Sequence, residues 1–223
     1  MKLAIVVCSA AKTEEEFRTR PVYPSLQAQQ LLHPNDVEVI VFPCNTKGLP
    51  EVYNCVLRDE KVTGKMVLFV HDDVELEDLF LYEKLKETPY SITGLAGTKS
   101  FDRRVDRCAW HLCSSREDFV GEVAHVQNRR VWTTVFGPTY SRALIVDGLF
   151  IACKVDDLRA KDVTFDENFS FHHYDITFCL RAHQNKVTCG VLPIRVVHHG
   201  LGDSMNSPEW IESNRKFKEL YYT

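Results

Sequence analysis

The chain has 223 residues, 44% hydrophobic and 26% charged, the make-up of an ordinary soluble globular protein large enough for one α/β domain. Its net charge of -4 argues against a nucleic-acid partner held on a broad basic face, while leaving room for a small anionic ligand held by a few local groups and a metal. No apolar run reaches transmembrane length, and the first eight residues are too short for a signal peptide.

Leu3–Cys8 is an unbroken apolar run and is expected to be a buried strand. Ser9, Ala10 and Ala11 follow as a turn of small residues, where a nucleoside often rests in open α/β sheets. Residues 13–20 are polar and begin a helix that Pro21 and Pro24 interrupt, with a further helix over 25–32. Val37–Phe42 is the second strand. Residues 43–48 form a loop containing Asn45. Leu49, Val52, Tyr53 and Val56 then recur at helical spacing, on a helix that carries Asn54.

Val67, Leu68, Phe69 and Val70 form a second central run, which ends abruptly in His71, Asp72 and Asp73. Two adjacent carboxylates repel each other unless a cation or proton lies between them. One reading is therefore a divalent metal site at the carboxyl end of a strand, with oxygen ligands suited to Mg²⁺ or Mn²⁺. The other is an acidic helix start, completed by Glu75, Glu77 and Asp78. A helix over about 77–87 and a strand over 91–97 follow, and this alternation implies a largely parallel sheet.

Residues 98–143 break the rhythm and read as an irregular insertion with short strands, including a hairpin across the sheet edge. The segment serves either to contact an acceptor or a partner, or as a structural excursion whose tryptophans, Trp110 and Trp132, close the core. A strand returns over 144–153 with Asp147 and Gly148 in its middle, where glycine marks a bulge or the close approach of another group. Ile176, Cys179, Leu180 and His183 share one face of a helix whose first turn holds Asp175. An extended segment over 187–197 closes in His198, His199 and Gly200. Residues 200–207 have the look of a lid, and Ser207 with Pro208 starts a last helix. The eight cysteines include no Cys-x-x-Cys pair, so reduced thiols and a cytoplasmic setting are expected.

In this order and at this spacing, these pieces resemble glycosyltransferases of the GT-A fold, close to glycosyltransferase family 2. His71-Asp72-Asp73 looks like the family's Asp-x-Asp element, with histidine where the first aspartate is usual. The stretch around Asp147 and Gly148 looks like its donor-sugar and acceptor strand. Tyr174 and Asp175 stand where a Glu-Asp pair heads the catalytic helix, and His198-His199 looks like its late metal-ligand histidine.

The resemblance implies a single domain over 1–223, with a nucleotide-binding half, 1–97, and an acceptor and catalytic half, 98–223. Its core is a Rossmann-like, mostly parallel sheet flanked by helices. The implied activity is inverting, metal-dependent sugar transfer from a nucleoside-diphosphate sugar, commonly UDP-linked, to a hydroxyl of a glycan or glycoprotein. Neither a nucleic acid nor direct membrane insertion is implied. Asp175 is the implied general base. Asp73 is the main ligand for Mn²⁺ or Mg²⁺, joined by His198, or by His199, since adjacent strand residues point to opposite faces. Ser9, Ala10, Ala11, Asn45, Asn54, Asp72, Asp147 and Gly148 are implied around the donor. Two readings compete: a sugar nucleotidyltransferase, whose Gly-rich basic phosphate loop is missing here, and a binding protein without turnover, which the unusual His71 favours.

Overall fold

Two apolar runs that the sequence marks as strands form the centre of the fold, joined by a third from the second half of the chain. In the computed structural model, which describes residues 1–200 and 205–222, the chain runs β1 (Leu3–Cys8), α1 (Glu14–Phe17), α2 (Val22–Leu32), β2 (Val37–Phe42), α3 (Leu49–Arg58), β3 (Met66–His71), β4 (Val74–Leu76), α4 (Leu81–Glu87), β5 (Ile92–Gly94) and β6 (Ala96–Thr98). It continues through β7 (Phe119–Gln127), β8 (Arg130–Val135), β9 (Ser141–Ala143), β10 (Ile145–Val146), β11 (Phe150–Lys154), α5 (Val155–Arg159), α6 (Tyr174–Gln184), β12 (Cys189–Val191), β13 (Val196–His198) and α7 (Pro208–Tyr221). Residues 201–204 of the expected lid over 200–207 lie outside the described residues.

Among the described residues, one sheet has the order β2-β1-β3-β11-β5-β12-β9, and a second has β10-β6-β7-β13-β4 with β8 on the outer side of β7. The pairs β1–β2, β1–β3 and β5–β12 are parallel, as the alternation of strand and helix implies. Strand β11 enters between β3 and β5 and runs antiparallel to both, so the central sheet is mixed. Every residue of β1 is buried, and so are the first five of β3 and the first four of β11. Such strands are covered on both faces and read as continuous hydrophobic runs. Tyr53 of α3 stacks on Phe69 of β3 at 4.1 Å between centroids, and Phe165 stacks on Phe178 of α6 at 3.8 Å. Asp166 gathers the far side by accepting from Arg181 of α6 and Tyr221 of α7, each at 2.7 Å.

Several boundaries differ from the sequence expectation. Helix α2 starts at Val22, with Pro24 inside its first turn rather than before it. A first-turn proline forfeits nothing, because its N–H has no intrahelical partner there. Helix α4 starts at Leu81, not near 77, because Glu75 lies on the short strand β4. Asp78 is buried, bonded to the Phe80 and Arg195 amides and ion-paired with Lys84 at 2.6 Å. The run over 144–153 is two strands in different sheets, broken at 147–149.

Residues 98–143 contain the expected hairpin, β7–β8, turned by Asn128 and Arg129, both at positive φ (50° and 63°). Two left-handed residues in a two-residue loop match the right-handed twist of the flanking strands. Strand β7 is not at the edge, since it pairs with β6, β13 and β8. All eight cysteines are unpaired, and no helix among the described residues is long and apolar enough to cross a membrane.

Candidate active site

Pairing with β3 sets the first wall of the site. Because β11 runs antiparallel with Phe150 opposite Val70, the loop 147–149 is laid beside the end of β3, and the His71 amide donates to Leu149 O at 3.1 Å. Pairing of β13 with β4 sets the second wall. His198 stands opposite Val74, and the His199 amide donates to Asp73 O at 2.9 Å. Helix α6 closes the floor, starting from His173 in a left-handed conformation (φ 64°). These segments surround a cavity of about 430 Å³ lined by, among others, His71, Asp73, Asp147, Gly148, Asp175 and His198.

His198 Nε2 lies 3.2 Å from Asp73 Oδ2, whereas His199 turns the other way and meets Glu75 at 3.1 Å. Burial opposes ionisation of Asp73, but the neighbouring His198 and His71 outweigh it and hold its carboxyl below the usual range. Asp73 Oδ1 is buried without a hydrogen-bond partner among the described residues. A Cβ on Gly200 would lie 2.8 Å from both Asp73 Oδ2 and His198 Nε2, so glycine keeps that space clear. An orphaned carboxylate oxygen, an imidazole nitrogen and room beside them fit a divalent cation. Among the described residues no group of three or more His, Cys, Asp or Glu side chains is placed to hold a metal.

Asp175 sits at the opposite wall. Its Oδ2 accepts from the Gly148 amide at 3.0 Å and its Oδ1 from the Ile176 amide at 2.9 Å. Burial and the charge of Asp147 push its carboxyl up to about 7, against the lowering by those amides. Asp147 Oδ1 accepts from the Leu149 amide at 3.0 Å, and its Oδ2 from the indole N–H of Trp110 at 2.6 Å. Gly148 is where the chain passes closest to α6, since a Cβ there would stand 2.6 Å from the Tyr174 hydroxyl. That hydroxyl donates to Gly148 O at 2.7 Å, so His71 Nε2, 2.9 Å away, donates to it in turn. Burial lowers the His71 pKa and so favours the neutral ring, in which the proton that bonds the hydroxyl sits on Nε2.

The other expected donor residues lie elsewhere. Asp72 is turned toward β1, bonded to the Ser9 hydroxyl at 2.5 Å and 3.4 Å from Arg20 Nε. Ser9 also accepts from the Ala11 amide at 3.1 Å, and Asn45 donates its amide to Ser9 O at 2.7 Å. Ser9, Ala10, Ala11 and Asn45 thus form one shelf at the end of β1, outside the cavity. Asn54 points into the core, away from the cavity. It is 1% exposed, and its side-chain amide exchanges hydrogen bonds with the Phe165 backbone and reaches Glu167 at 2.8 Å. Trp110 escaped the sequence reading as a site residue. Its only signal was a buried-type aromatic within an arginine-rich irregular stretch, and no local period aims it at Asp147.

No protein-family model matches the chain, and no curated protein sequence is similar to it. Its fold is found in solved structures. Residues 1–349 of S. aureus TarS in complex with UDP-GlcNAc align with a TM-score of 0.58 and 17% identity, over 99% of this chain and 66% of that one. The catalytic domain of Drosophila beta1,4galactosyltransferase 7 in complex with xylobiose aligns with a TM-score of 0.54 and 13% identity, over 96% of this chain and 79% of that one. A197 from STIV aligns at 0.50 and 12% identity, over 90% and 86%. The chain thus spans just under two thirds of the TarS fragment and 39% of TarS itself. The chain shares the fold of these glycosyltransferase structures, a mixed α/β sheet flanked by helices.

Proposed function

We propose that the chain transfers a sugar, with inversion, from a nucleoside-diphosphate sugar, UDP-linked, to a hydroxyl of a glycan or glycoprotein. The observation that carries this is one cavity with the Asp73–His198 pair on one wall and Asp147 with Asp175 on the other. The bound UDP-GlcNAc and UDP in the TarS structures support the donor class. On this reading residues 1–97 carry the nucleotide, with Ser9, Ala10, Ala11 and Asn45 along the nucleoside and Asp72 bracing that shelf. Residues 98–223 carry the acceptor and the base, and the protein works in the cytoplasm.

Asp175 takes the proton of the acceptor hydroxyl as its oxygen attacks the anomeric carbon. The new C–O bond forms on the face opposite the breaking one, and the diphosphate departs with the electron pair. A carboxyl pushed up to about 7 is a stronger base than an ordinary aspartate and still ionises near neutral pH. The amides of Gly148 and Ile176 aim it. Asp147, steadied by Trp110, accepts from a hydroxyl of the donor sugar or acceptor. Asp73 and His198 would hold Mn²⁺ or Mg²⁺, and such an ion would supply Lewis-acid neutralisation of the leaving diphosphate.

A thermal-shift panel of nucleoside-diphosphate sugars, with and without Mn²⁺, tests the proposal. UDP-sugars are expected to raise the melting temperature most when Mn²⁺ is present. A chain that no nucleoside diphosphate or nucleotide sugar stabilises, with or without metal, is not such an enzyme.

A further inference from the structure

A row of rings leads out of the cavity along the second sheet. His198 of β13 stands in register with His125 of β7, and His125 stands opposite Trp132 of β8. Residues paired in register place their side chains on the same face of a sheet. The His198 and His125 rings are 5.6 Å apart, and His125 stacks on Trp132 at 5.5 Å with 24° between planes. The row therefore starts at the histidine beside Asp73 and runs farther than a single sugar ring.

Trp132 ends the row in the open. Strand β8 pairs only with β7 among the described residues, and Trp132 remains 39% exposed. Two positions before His125 on the same face, Val123 is 3% exposed, so this face turns from buried core to open wall at His125. An indole with one face on His125 and its outer side toward water offers an apolar plate with a polar edge. That chemistry suits the C–H face of a sugar ring, with hydroxyls left at the rim.

We infer that His125 and Trp132 form an outer acceptor subsite, which stacks the second sugar of an oligosaccharide whose terminal hydroxyl reaches Asp175. This rests on the glycosyl-transfer reading above. The acceptor is then at least a disaccharide, and the β7–β8 hairpin of the irregular segment is its cradle. The row starts at His198 in the cavity lining, which sets Trp132 apart from the exposed valines of the same hairpin, Val131 and Val135, which alternate to the other face.

The test compares wild type, Trp132→Ala and Trp132→Phe in the full chain, in the presence of UDP and Mn²⁺. The probes are xylobiose, cellobiose, chitobiose and lactose, each beside its methyl monosaccharide, with binding followed by saturation-transfer NMR and titration. Trp132→Ala is expected to weaken binding of the preferred disaccharide about fivefold or more. It should leave monosaccharide and UDP affinity unchanged, and Trp132→Phe should recover most of the loss. Equal disaccharide affinity in wild type and Trp132→Ala overturns the subsite. So does a wild-type protein that binds UDP but none of the disaccharides. Failure to bind UDP at all removes instead the reading on which the subsite rests.

Discussion

The indole N–H of Trp110 donates to Asp147 Oδ2 at 2.6 Å, joining the irregular segment to the wall of the cavity. Trp110 is 6% exposed and meets Phe119 and Phe136 edge to face, so it cannot swing away without opening that cluster. The bond offsets part of the charge that pushes the Asp175 carboxyl up. Trp110→Phe keeps the ring and removes the donor. Transfer efficiency is expected to fall about tenfold, the worth of a hydrogen bond to a charged group. The midpoint of the pH–rate profile moves upward, because Asp147 is then less compensated. An unmoved midpoint, measured as kcat/KM against pH, would separate Trp110 from the acid–base chemistry.

Asp175 makes a prediction on rate and on stability. As general base it works ionised, so the transfer rate should climb with pH and level off above about 7. Asp175→Asn should lower the rate about a hundredfold or more while nucleotide-sugar binding persists. For stability, the folded carboxyl is pushed up to about 7, whereas the unfolded one keeps the ordinary 3.8. Between those values the folded state holds the extra proton, so stability falls as pH rises through that window. The penalty is absent below it and complete above it. Melting curves of wild type should therefore lose ground to Asp175→Asn between about pH 4 and 7. Parallel curves across that range would contradict the raised pKa.

His198 and His199 are adjacent but face different partners, Asp73 and Glu75. His198→Ala should weaken Mn²⁺-dependent UDP binding by at least the effect of losing an outer-shell partner, about tenfold or more. His199→Ala should leave it near wild type. Calorimetry with and without Mn²⁺ distinguishes them, and equal losses in both variants would contradict the assignment.

Asn54 is expected to matter for stability and not for the donor. Its amide satisfies both the N–H and the C=O of Phe165, in the aromatic layer beneath the site. Asn54→Ala strands the Phe165 N–H and leaves its C=O only a long bond from Arg181 at 3.5 Å, and should cost about 2 kcal/mol, read as a drop in melting temperature. The KM for a UDP-sugar should stay within about twofold of wild type, since no bond to the cavity is lost. A raised KM in a protein of unchanged stability would return Asn54 to the donor set.

Strands β1 and β3 were legible in the sequence because a strand buried on both faces has to be apolar at every position, and each run stops where polar residues begin. The same abruptness exposed His71-Asp72-Asp73, and Asp175 was legible as an acid in the first turn of a helix, although α6 is buried round most of its circumference and His183, expected on its packed face, is exposed. Gly148 was readable as a point of close approach, though Tyr174 was not readable as what approaches. The three-residue strands β4 and β13 are too short to carry a period, so the sequence holds no sign of their pairing. That pairing is what turns His198 to Asp73 and His199 to Glu75. Local alternation says only that two neighbours point opposite ways, and which way each points depends on a partner strand more than a hundred residues away. Trp110 and Asn54 follow the same rule, one drawn into the site and the other withdrawn from it by contacts across 37 and 111 residues. Residue type and period are local and set the elements and the chemistry on offer, whereas side-chain direction at the site is a long-range property that only the packed sheet decides.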